Sequence, residues 1–266
     1  MTSTRRTFCL AGAAALPTLA ALVLAASPLH AAASCAFEPQ GEGHVTAVID
    51  GRSFRLADGR EIRLTGIEAV SADATPAGRA ADLSAIVLDK DVTLRGEDDA
   101  PDRYGRQSAF AFLADSDVPV QGRLLADGAA LVSSEVTDKD CAAALTTAEA
   151  AARAAKRGVW ASPAAIKNAE STDDILAGIG RFTLVEGKVL SVRQAGATTY
   201  LNFGRRWTRD FAVTISRRVL PVVEAAGAPV KSLENRRILV RGWVEARPGP
   251  RIEVVRAGQI EVLERN

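Results

Sequence analysis

Apolar and polar positions alternate near the start of the globular chain, in short runs that tight turns separate. These runs are residues 44–49, 53–56 and 61–64. Alternation with a period of two predicts half-buried strands, because successive side chains of a strand point to opposite faces. An Asp-Gly pair, which is typical of hairpin turns, stands after each of the first two runs. This part of the sequence therefore predicts a β-meander.

The rest of the first half predicts two more strands and two helices. Residues 77–89 have helical spacing, and short apolar runs at 92–94 and 108–113 predict strands. An alanine-rich stretch at 141–156 predicts a second helix, which is expected to end at Gly158. Five short strands followed by helices are typical of a small Greek-key barrel of the OB type.

The second half follows a change in composition. Turn-forming residues accumulate between residues 161 and 180 and predict a linker at 164–180. The next predicted elements are three strands, a helix and two strands, at residues 185–192, 198–203, 211–215, 219–226, 238–245 and 251–255. This order also fits a five-stranded OB-type barrel. We therefore predict a mainly β fold with helices, in which two OB-type barrels occupy residues 36–163 and 181–266.

Residues 1–33 have the features of an export signal. Arg5 and Arg6 precede an uncharged stretch rich in alanine and leucine, which ends in small residues at positions 31–33. This order predicts a cleavable signal peptide, and paired arginines before Phe8 resemble the twin-arginine signal. We expect a periplasmic or secreted protein with no membrane span in the mature chain. The alternative is an uncleaved membrane anchor.

The cysteines support an oxidising compartment. Of the three, Cys9 lies in the predicted signal peptide, and Cys35 and Cys141 remain as an even pair. Such a pair predicts a disulfide. In the alternative, Cys35 carries a lipid, although the usual leucine three residues before it is absent.

Composition and charge narrow the function classes. The chain of 266 residues has the 47% hydrophobic and 24% charged content of a globular protein. Two histidines leave almost no material for a histidine metal cluster or a Ser-His-Asp triad. Residues 36–163 have 14 basic and 21 acidic side chains, whereas residues 164–266 have 17 and 11. Only the second half has a net charge suited to polyanions.

Several motifs of the first half are more informative in their order and spacing than any of them is alone. They are Val45 to Ile49 before Asp50-Gly51, Arg63-Leu64 before Gly66-Ile67, Asp102-Arg103-Tyr104-Gly105-Arg106, Leu124-Leu125-Ala126-Asp127-Gly128, and Ala148 to Arg153 with Gly158-Val159-Trp160. On these motifs, residues 44–160 resemble the staphylococcal nuclease, or thermonuclease-like, family. The resemblance implies a five-stranded OB barrel with C-terminal helices. It also implies phosphodiester cleavage with a carboxylate-bound calcium ion, a glutamate base and two arginines on the phosphate.

The resemblance places the two phosphate-binding arginines at Arg63 and Arg106. Guanidinium groups suit this role because they form paired, charge-assisted hydrogen bonds with phosphate oxygens. In the alternative these arginines are structural and pair with Glu68 or Asp102.

At two acidic positions of the family, this sequence has residues that are not acidic. Arg52 stands where the family has a metal-binding aspartate, and Ser71 stands where it has the glutamate base. A fixed positive charge repels a metal ion, and an unassisted serine does not take a proton from water near neutral pH. Glu68 and Asp50 remain as weak metal-ligand candidates, although Asp50 also suits a turn. Asp73 is the nearby substitute for the base.

These departures favour a thermonuclease-like protein with a degenerate calcium and general-base site. Such a protein is expected to need no cofactor and to act as a nucleic-acid or protein interaction module with little nuclease activity. The loop at Ser133 and Ser134 also lacks the tyrosine that family nucleases present to the nucleotide base. The alternative is an active secreted phosphodiesterase, an endonuclease on DNA or RNA, with Ca²⁺ in an altered site. The sequence leaves open whether the protein is an enzyme.

The second half combines aromatic and basic side chains. Residues 200–204, 210–211, 241–243 and 249–253 resemble the C-terminal extension of some bacterial thermonuclease-like proteins. The candidates for nucleic-acid contact are Tyr200, Arg205, Arg206, Trp207, Arg209, Arg241 and Trp243. Aromatic rings beside a basic groove are typical of single-strand binding. In the alternative the basic half docks on the acidic half, and another exported protein is the further candidate partner.

Overall fold

The computed structural model describes residues 1, 35, 37–114, 116–226 and 229–263. Residues 2–34, with most of the predicted export signal and Cys9, lie outside the described residues. The described residues from 35 to 263 form one compact unit. Its fold is mixed α/β and mainly strands, with five α-helices in the described ranges. No described helix is long and apolar enough to cross a bilayer.

The first half contains the meander predicted at residues 44–64. Its elements are β1 (Glu38–Asp50), β2 (Ser53–Leu56), β3 (Glu61–Leu64), β4 (Ile67–Ala69), α1 (Pro76–Val87), β5 (Asp91–Gly96), β6 (Arg106–Leu113), α2 (Val120–Ala126), β7 (Ala130–Val132) and α3 (Lys139–Ala154). Strands β1, β2, β3, β6 and β5 are neighbours in this order and form a closed barrel. The β3–β6 pair is parallel. The barrel closes through β1, whose first part pairs with β5 and whose last part pairs with β2.

The alternation of side chains along the strands builds the barrel core. In β2, for example, Phe54 and Leu56 are buried whereas Arg55 between them is exposed. A bulge at Gly41, where φ is +101°, bends β1 between its contacts with β5. Such bulges increase the local twist that a closed barrel requires. The predicted helices are present as α1 and α3, and α2 covers the core with Leu124 and Leu125.

The predicted disulfide joins Cys35, just before β1, to Cys141 in the first turn of α3. Both cysteines are buried in the barrel core. The side chain of Asp138 caps α3 by accepting a hydrogen bond from the Cys141 N–H over 2.7 Å. A cross-link that closes a loop of this length contributes about 4 to 5 kcal/mol on the chain-entropy account.

The second half is built around one sheet. Its elements are β8 (Ile166–Asn168), α4 (Thr172–Leu176), β9 (Phe182–Lys188), β10 (Ser191–Ala195), β11 (Thr198–Asn202), β12 (Ala212–Ser216), α5 (Leu220–Ala225), β13 (Arg237–Ala246), β14 (Pro250–Val254) and β15 (Ile260–Val262). The sheet has eight strands in the order β10-β11-β12-β14-β13-β9-β8, with β15 also on β13. The prediction of only five strands is therefore wrong.

The strand order of this sheet repeats that of the first half. Only Val189 and Leu190 separate β9 from β10, and these two residues continue the hydrogen bonding, to Arg236 and Asn202. If β9 and β10 are counted as one bent strand, its neighbours follow the order of β1, β2, β3, β6 and β5. The β12–β14 pair is parallel, as is β3–β6.

The segment predicted as a linker, residues 164–180, is folded into the second half. Strand β8 pairs in parallel with β9, and Ile175 in α4 is fully buried in the core of the second half. Ile179 forms a β-bridge with Val244. Turn-forming residues had suggested a loose connection, but here they form short helical turns and caps between elements that pack on the sheet.

The two halves pack on each other through a separate apolar cluster. Leu131, Ala152 and Trp160 of the first half meet Leu184 and Leu239 of the second. The Ser134 hydroxyl also donates to the carbonyl oxygen of Gly258 over 2.8 Å. The halves therefore share an apolar interface in addition to their own cores.

Candidate functional site

Arg52 and Glu68 form an ion pair at the positions considered for metal ligands. Arg52 lies in the turn between β1 and β2, and Glu68 lies in β4, which pairs with β7. Arg52 Nη1 donates to Glu68 Oε1 over 2.5 Å and to the carbonyl oxygen of Ile67 over 2.9 Å. The two side chains are only 13% and 10% exposed. A guanidinium group thus occupies the carboxylate that a metal ion would need.

The surrounding donors do not fit calcium. Burial raises the pKa of the Glu68 carboxyl above its usual value, although the charge of Arg52 acts in the opposite direction. Asp50 Oδ1 accepts a hydrogen bond from the Arg52 backbone N–H over 2.8 Å, as a turn residue does. Within the described ranges, no three Asp, Glu, His or Cys side chains are placed to hold a metal. Calcium takes about six to eight oxygen ligands, so we derive no step through a metal ion.

Ser71 and Asp73 hold each other in the loop before α1. The Ser71 hydroxyl donates to Asp73 Oδ1 over 2.5 Å, and Thr75 donates to the same carboxylate through its N–H and its hydroxyl. These bonds, that of Ser71 first, lower the pKa of the Asp73 carboxyl. A carboxylate with a lowered pKa is a weaker base, so Asp73 is poorly suited to replace the missing glutamate.

Arg106, one of the two positions predicted to bind phosphate, is paired. Its Nε and Nη2 donate to Asp102 Oδ2 over 3.0 and 2.7 Å. The hydrogen bond from Arg106 is the main cause that lowers the pKa of Asp102 to about 2. Arg106 thus follows the structural alternative, in which it pairs with Asp102.

Arg63, unlike Arg106, has an unpaired side chain in the described ranges. It lies in β3 between Ser53 and Ser108 of the neighbouring strands. Desolvation lowers the pKa of the Arg63 guanidinium, and the charges of Arg52 and Arg106 lower it further. In the part of the chain that the structure describes, its side chain has no hydrogen-bonding or ion-pair partner. Arg63 therefore leaves a half-buried positive charge available to an anion.

Tyr104 is a neighbour that the sequence analysis did not single out. Its ring is 65% exposed and lies under the Arg106 guanidinium, 4.9 Å from it, with Arg103 at 4.7 Å. The Tyr104 ring therefore lies beside Arg106, which is predicted to bind phosphate. The loop at Ser133 and Ser134, where family nucleases have a tyrosine, contributes no aromatic ring. Its place between two arginines in the Asp102–Arg106 motif was the available signal.

Comparison with known proteins supports the predicted family resemblance of the first half. Residues 61–162 match the family model described as staphylococcal nuclease homologue. The chain therefore contains a staphylococcal nuclease homologue domain, and its C-terminal region is not assigned to a family. No curated protein matched the chain.

The second half has a groove of about 710 Å³ on the outer face of β11 and β12. Its floor includes Asn202 and Thr214, and its walls come from the loop before β12 and the loop between β13 and β14. The aromatic and basic lining consists of Arg193, Tyr200, Arg205, Trp207, Arg247 and Arg251. Trp207 is 74% exposed. The structure thus brings together three of the residues predicted for nucleic-acid contact, namely Tyr200, Arg205 and Trp207.

Two further predicted residues lie in the same loop but do not line the groove. Arg206 faces Asp210 at 3.7 Å, and its backbone N–H donates to the Asp210 carboxylate over 2.7 Å. Arg209 is exposed. The Asp210 carboxylate fixes the turn of the loop, which presents Arg205 and Trp207 toward the groove.

Arg241 and Trp243 do not belong to this groove. Arg241 is 7% exposed and its Nη1 donates to both oxygens of Glu149 in α3, over 3.1 and 2.8 Å, and to the Val132 carbonyl. Trp243 lies in a cleft between the halves, edge-on to Phe182. Their face of β13 was correctly separated from the core face. The first half covers it, however, so the assignment of Arg241 to nucleic-acid binding is wrong.

Proposed function

We propose that this protein binds single-stranded nucleic acid through the groove on β11 and β12. On this proposal both halves are OB-type barrels, and the first keeps a nuclease-derived fold with little hydrolytic activity. The protein acts after export, in the periplasm or outside the cell, once residues 1–33 have been removed.

The observation that supports binding most strongly is the position of the groove. OB barrels bind oligonucleotides over their second and third strands, next to the loops that join the first strand to the second and the fourth to the fifth. By the strand order of the second half, these strands are β11 and β12, which form the groove floor, and the loop from the fourth strand to the fifth is the one after β13, which forms one wall. Tyr200 and Trp207 offer rings for stacking, and Arg193 and Arg205 have no side-chain partner in the described ranges.

A labelled single-stranded oligonucleotide tests this proposal by fluorescence anisotropy. We expect binding that weakens steeply with salt, because arginines displace counterions from the phosphates. Trp207→Ala is expected to weaken binding about tenfold by removing one stacking platform. Arg205→Gln is expected to weaken binding less and to reduce the salt slope by about one.

Arg209→Gln is the matched control, since Arg209 is exposed in the same loop but does not line the groove. The proposal fails if no oligonucleotide is retained at low salt. It also fails if Arg209→Gln and Arg205→Gln weaken binding equally.

A residual phosphodiesterase is the second candidate, because Arg63 is unpaired in the described ranges and Tyr104 stands beside Arg106. The Arg52–Glu68 pair argues against it. We expect no digestion of single-stranded DNA or RNA by the wild-type protein with Ca²⁺ above the level with chelator. The double variant Arg52→Asp/Ser71→Glu, which restores the family's acidic residues, is expected to gain calcium binding. Chelator-sensitive digestion by the wild type that Glu68→Gln abolishes would establish the second candidate instead.

A further inference from the structure

A cleft of about 570 Å³ lies between the two halves, apart from the groove on β11 and β12. The first half contributes Arg52, Glu68 and Arg79, and the second half contributes Arg181, Phe182 and Trp243. Arg63, Arg106 and Tyr104 do not line this cleft. Because Asp50 and Ser71 also line it, the cleft adjoins the positions predicted for the metal ligands and the base, but it does not contain the two positions predicted to bind phosphate.

The charged side chains of the cleft divide into paired and unpaired groups. Arg52 is neutralised by Glu68, and Lys167 Nζ donates to Asp174 Oδ1 over 2.7 Å. Arg79 and Arg181 have no side-chain hydrogen bond or ion pair in the ranges that the structure describes. Asp50 also lines the cleft, and its carboxylate accepts the Arg52 backbone N–H. With Glu68 engaged by Arg52, the two free guanidinium groups outnumber this one carboxylate, so the cleft suits an anion better than a cation.

Both arginines project from fixed backbone. Arg79 lies in the first turns of α1, where Gly51 approaches so closely that a Cβ on Gly51 would lie 2.6 Å from the Arg79 Cβ. The N–H of Arg181 donates to the Gly178 carbonyl over 3.0 Å, and its carbonyl accepts from the Val244 N–H over 3.1 Å. The site thus needs little ordering of the chain before a ligand binds.

The wall beside Arg181 is aromatic. Trp243 is 49% exposed, and its ring meets Phe182 edge-on with 6.1 Å between the ring centroids. Because Phe182 holds one edge of the indole, the ring offers a positioned face to a planar group. A pocket of this size, with a few polar groups and an aromatic wall at a boundary between halves, is typical of small-molecule sites.

We propose that this cleft binds a nucleoside monophosphate, free or as the terminus of a strand, with the base on Trp243 and the phosphate on Arg79 and Arg181. The proposal does not rest on the groove, since it uses other residues. The ligand needs both an aromatic ring and an anionic group, which neither adenosine nor inorganic phosphate combines. We therefore expect both of these to bind more weakly than AMP.

Titration calorimetry of the purified protein with AMP at low ionic strength tests this site. We expect saturable one-site binding, which Arg181→Gln and Arg79→Gln each weaken about tenfold or more through loss of a charge-assisted hydrogen bond. Trp243→Ala is expected to weaken binding to a similar degree, and Trp243→Phe to keep most of it. Arg209→Gln, exposed and outside both the groove and the cleft, is the control that leaves AMP affinity unchanged, and Arg205→Gln tests whether AMP binds in the groove instead.

Unfolding curves of the variants show whether each remains folded. The proposal is overturned if AMP does not saturate the protein, if Arg181→Gln and Trp243→Ala bind AMP as the wild type does, or if inorganic phosphate binds as tightly as AMP. Loss of AMP binding in Arg205→Gln would assign the nucleotide to the groove and also overturn it. In the Trp207→Ala variant, oligonucleotides with a 5′-phosphate and a 5′-hydroxyl distinguish a strand terminus from a free nucleotide. Failure of oligonucleotide binding to the groove leaves the AMP result standing.

Discussion

Both Arg52 and Glu68 stand at positions predicted for metal ligands, Arg52 in place of an aspartate and Glu68 as a remaining candidate ligand. The two side chains bond to each other instead. The pair satisfies the Glu68 carboxylate at 2.5 Å, and the charge of Arg52 also reaches Arg63, whose pKa it helps to lower. Arg52 therefore affects the pKa values of two other side chains, Glu68 and Arg63. The pocket is basic where a calcium nuclease requires carboxylates.

At the residue scale, Asp102 gives a pH-dependent prediction. Its pKa is held near 2 in the folded protein, below the ordinary 3.8, mainly by the hydrogen bond from Arg106. A lowered carboxyl pKa stabilises the fold above the ordinary value, and this contribution is lost as pH falls toward 2. We therefore expect Asp102→Asn to be less stable than the wild type near neutral pH, with a difference that shrinks on acidification.

Urea unfolding at a series of pH values measures this difference. Asp117→Asn is the control, because Asp117 is exposed and has no side-chain partner in the described ranges. A difference between Asp102→Asn and wild type that stays constant down to acid pH would contradict the prediction.

The sequence motifs identified the residues that differ from the family but not the side chains that these residues contact. Arg52 and Ser71 stand within short motifs, so their identities could be compared with the family directly. The partner of Arg52 depends on β4, which reaches its place through pairing with β7 about 65 residues later in the chain. Arg241 was misassigned for a related reason, since alternation along a strand shows which positions share a face but not what covers that face.

At the element scale, the first half was more predictable than the second. Hairpins with Asp-Gly turns involve neighbouring residues, and the meander and the alanine-rich helix were found within a few residues of their predicted limits. Strand β8 has only three residues, and its pairing with β9 gives it its structure. No local pattern marks such a strand, so residues 164–180 resembled a linker.

Strand β13 and helix α3 are joined by the buried pair Arg241–Glu149, which gives a prediction about stability. Both side chains are under a tenth exposed, and Glu149 Oε1 also accepts the Val132 N–H over 2.8 Å. Removing one partner leaves a buried charge uncompensated. We expect Arg241→Gln to lower the free energy of unfolding by about 3 to 5 kcal/mol.

Arg237→Gln is the matched control on the same strand. Arg237 pairs with Glu186 but is 60% exposed, so its loss is expected to cost less than about 1 kcal/mol. Chemical denaturation measures both variants, and the double variant Arg241→Gln/Glu149→Gln is expected to lose less than the sum of the two single changes. Equal effects of Arg241→Gln and Arg237→Gln would contradict a buried pair.

At the scale of the whole molecule, opposite charge does not by itself explain how the halves meet. Of the ion pairs between described residues, Arg241–Glu149 is the one that joins the halves, and an apolar cluster and the Ser134–Gly258 hydrogen bond add further contacts. The basic excess of the second half is therefore left largely outside the interface, where Arg193 and Arg205 line the groove. Docking and nucleic-acid binding were alternatives in the sequence, but the docked face and the proposed binding groove lie on different surfaces of the same sheet.

The position of Glu149 limits how this protein can be divided. A nuclease homologue domain cut off after residue 163 would expose Leu131 and Trp160 to water and leave the Glu149 carboxylate without its countercharge. The first half, which contains the nuclease homologue domain, thus depends on the second half for part of its stability. The second half covers this apolar surface and supplies the countercharge, so we expect the separated first half to unfold more readily than the whole chain.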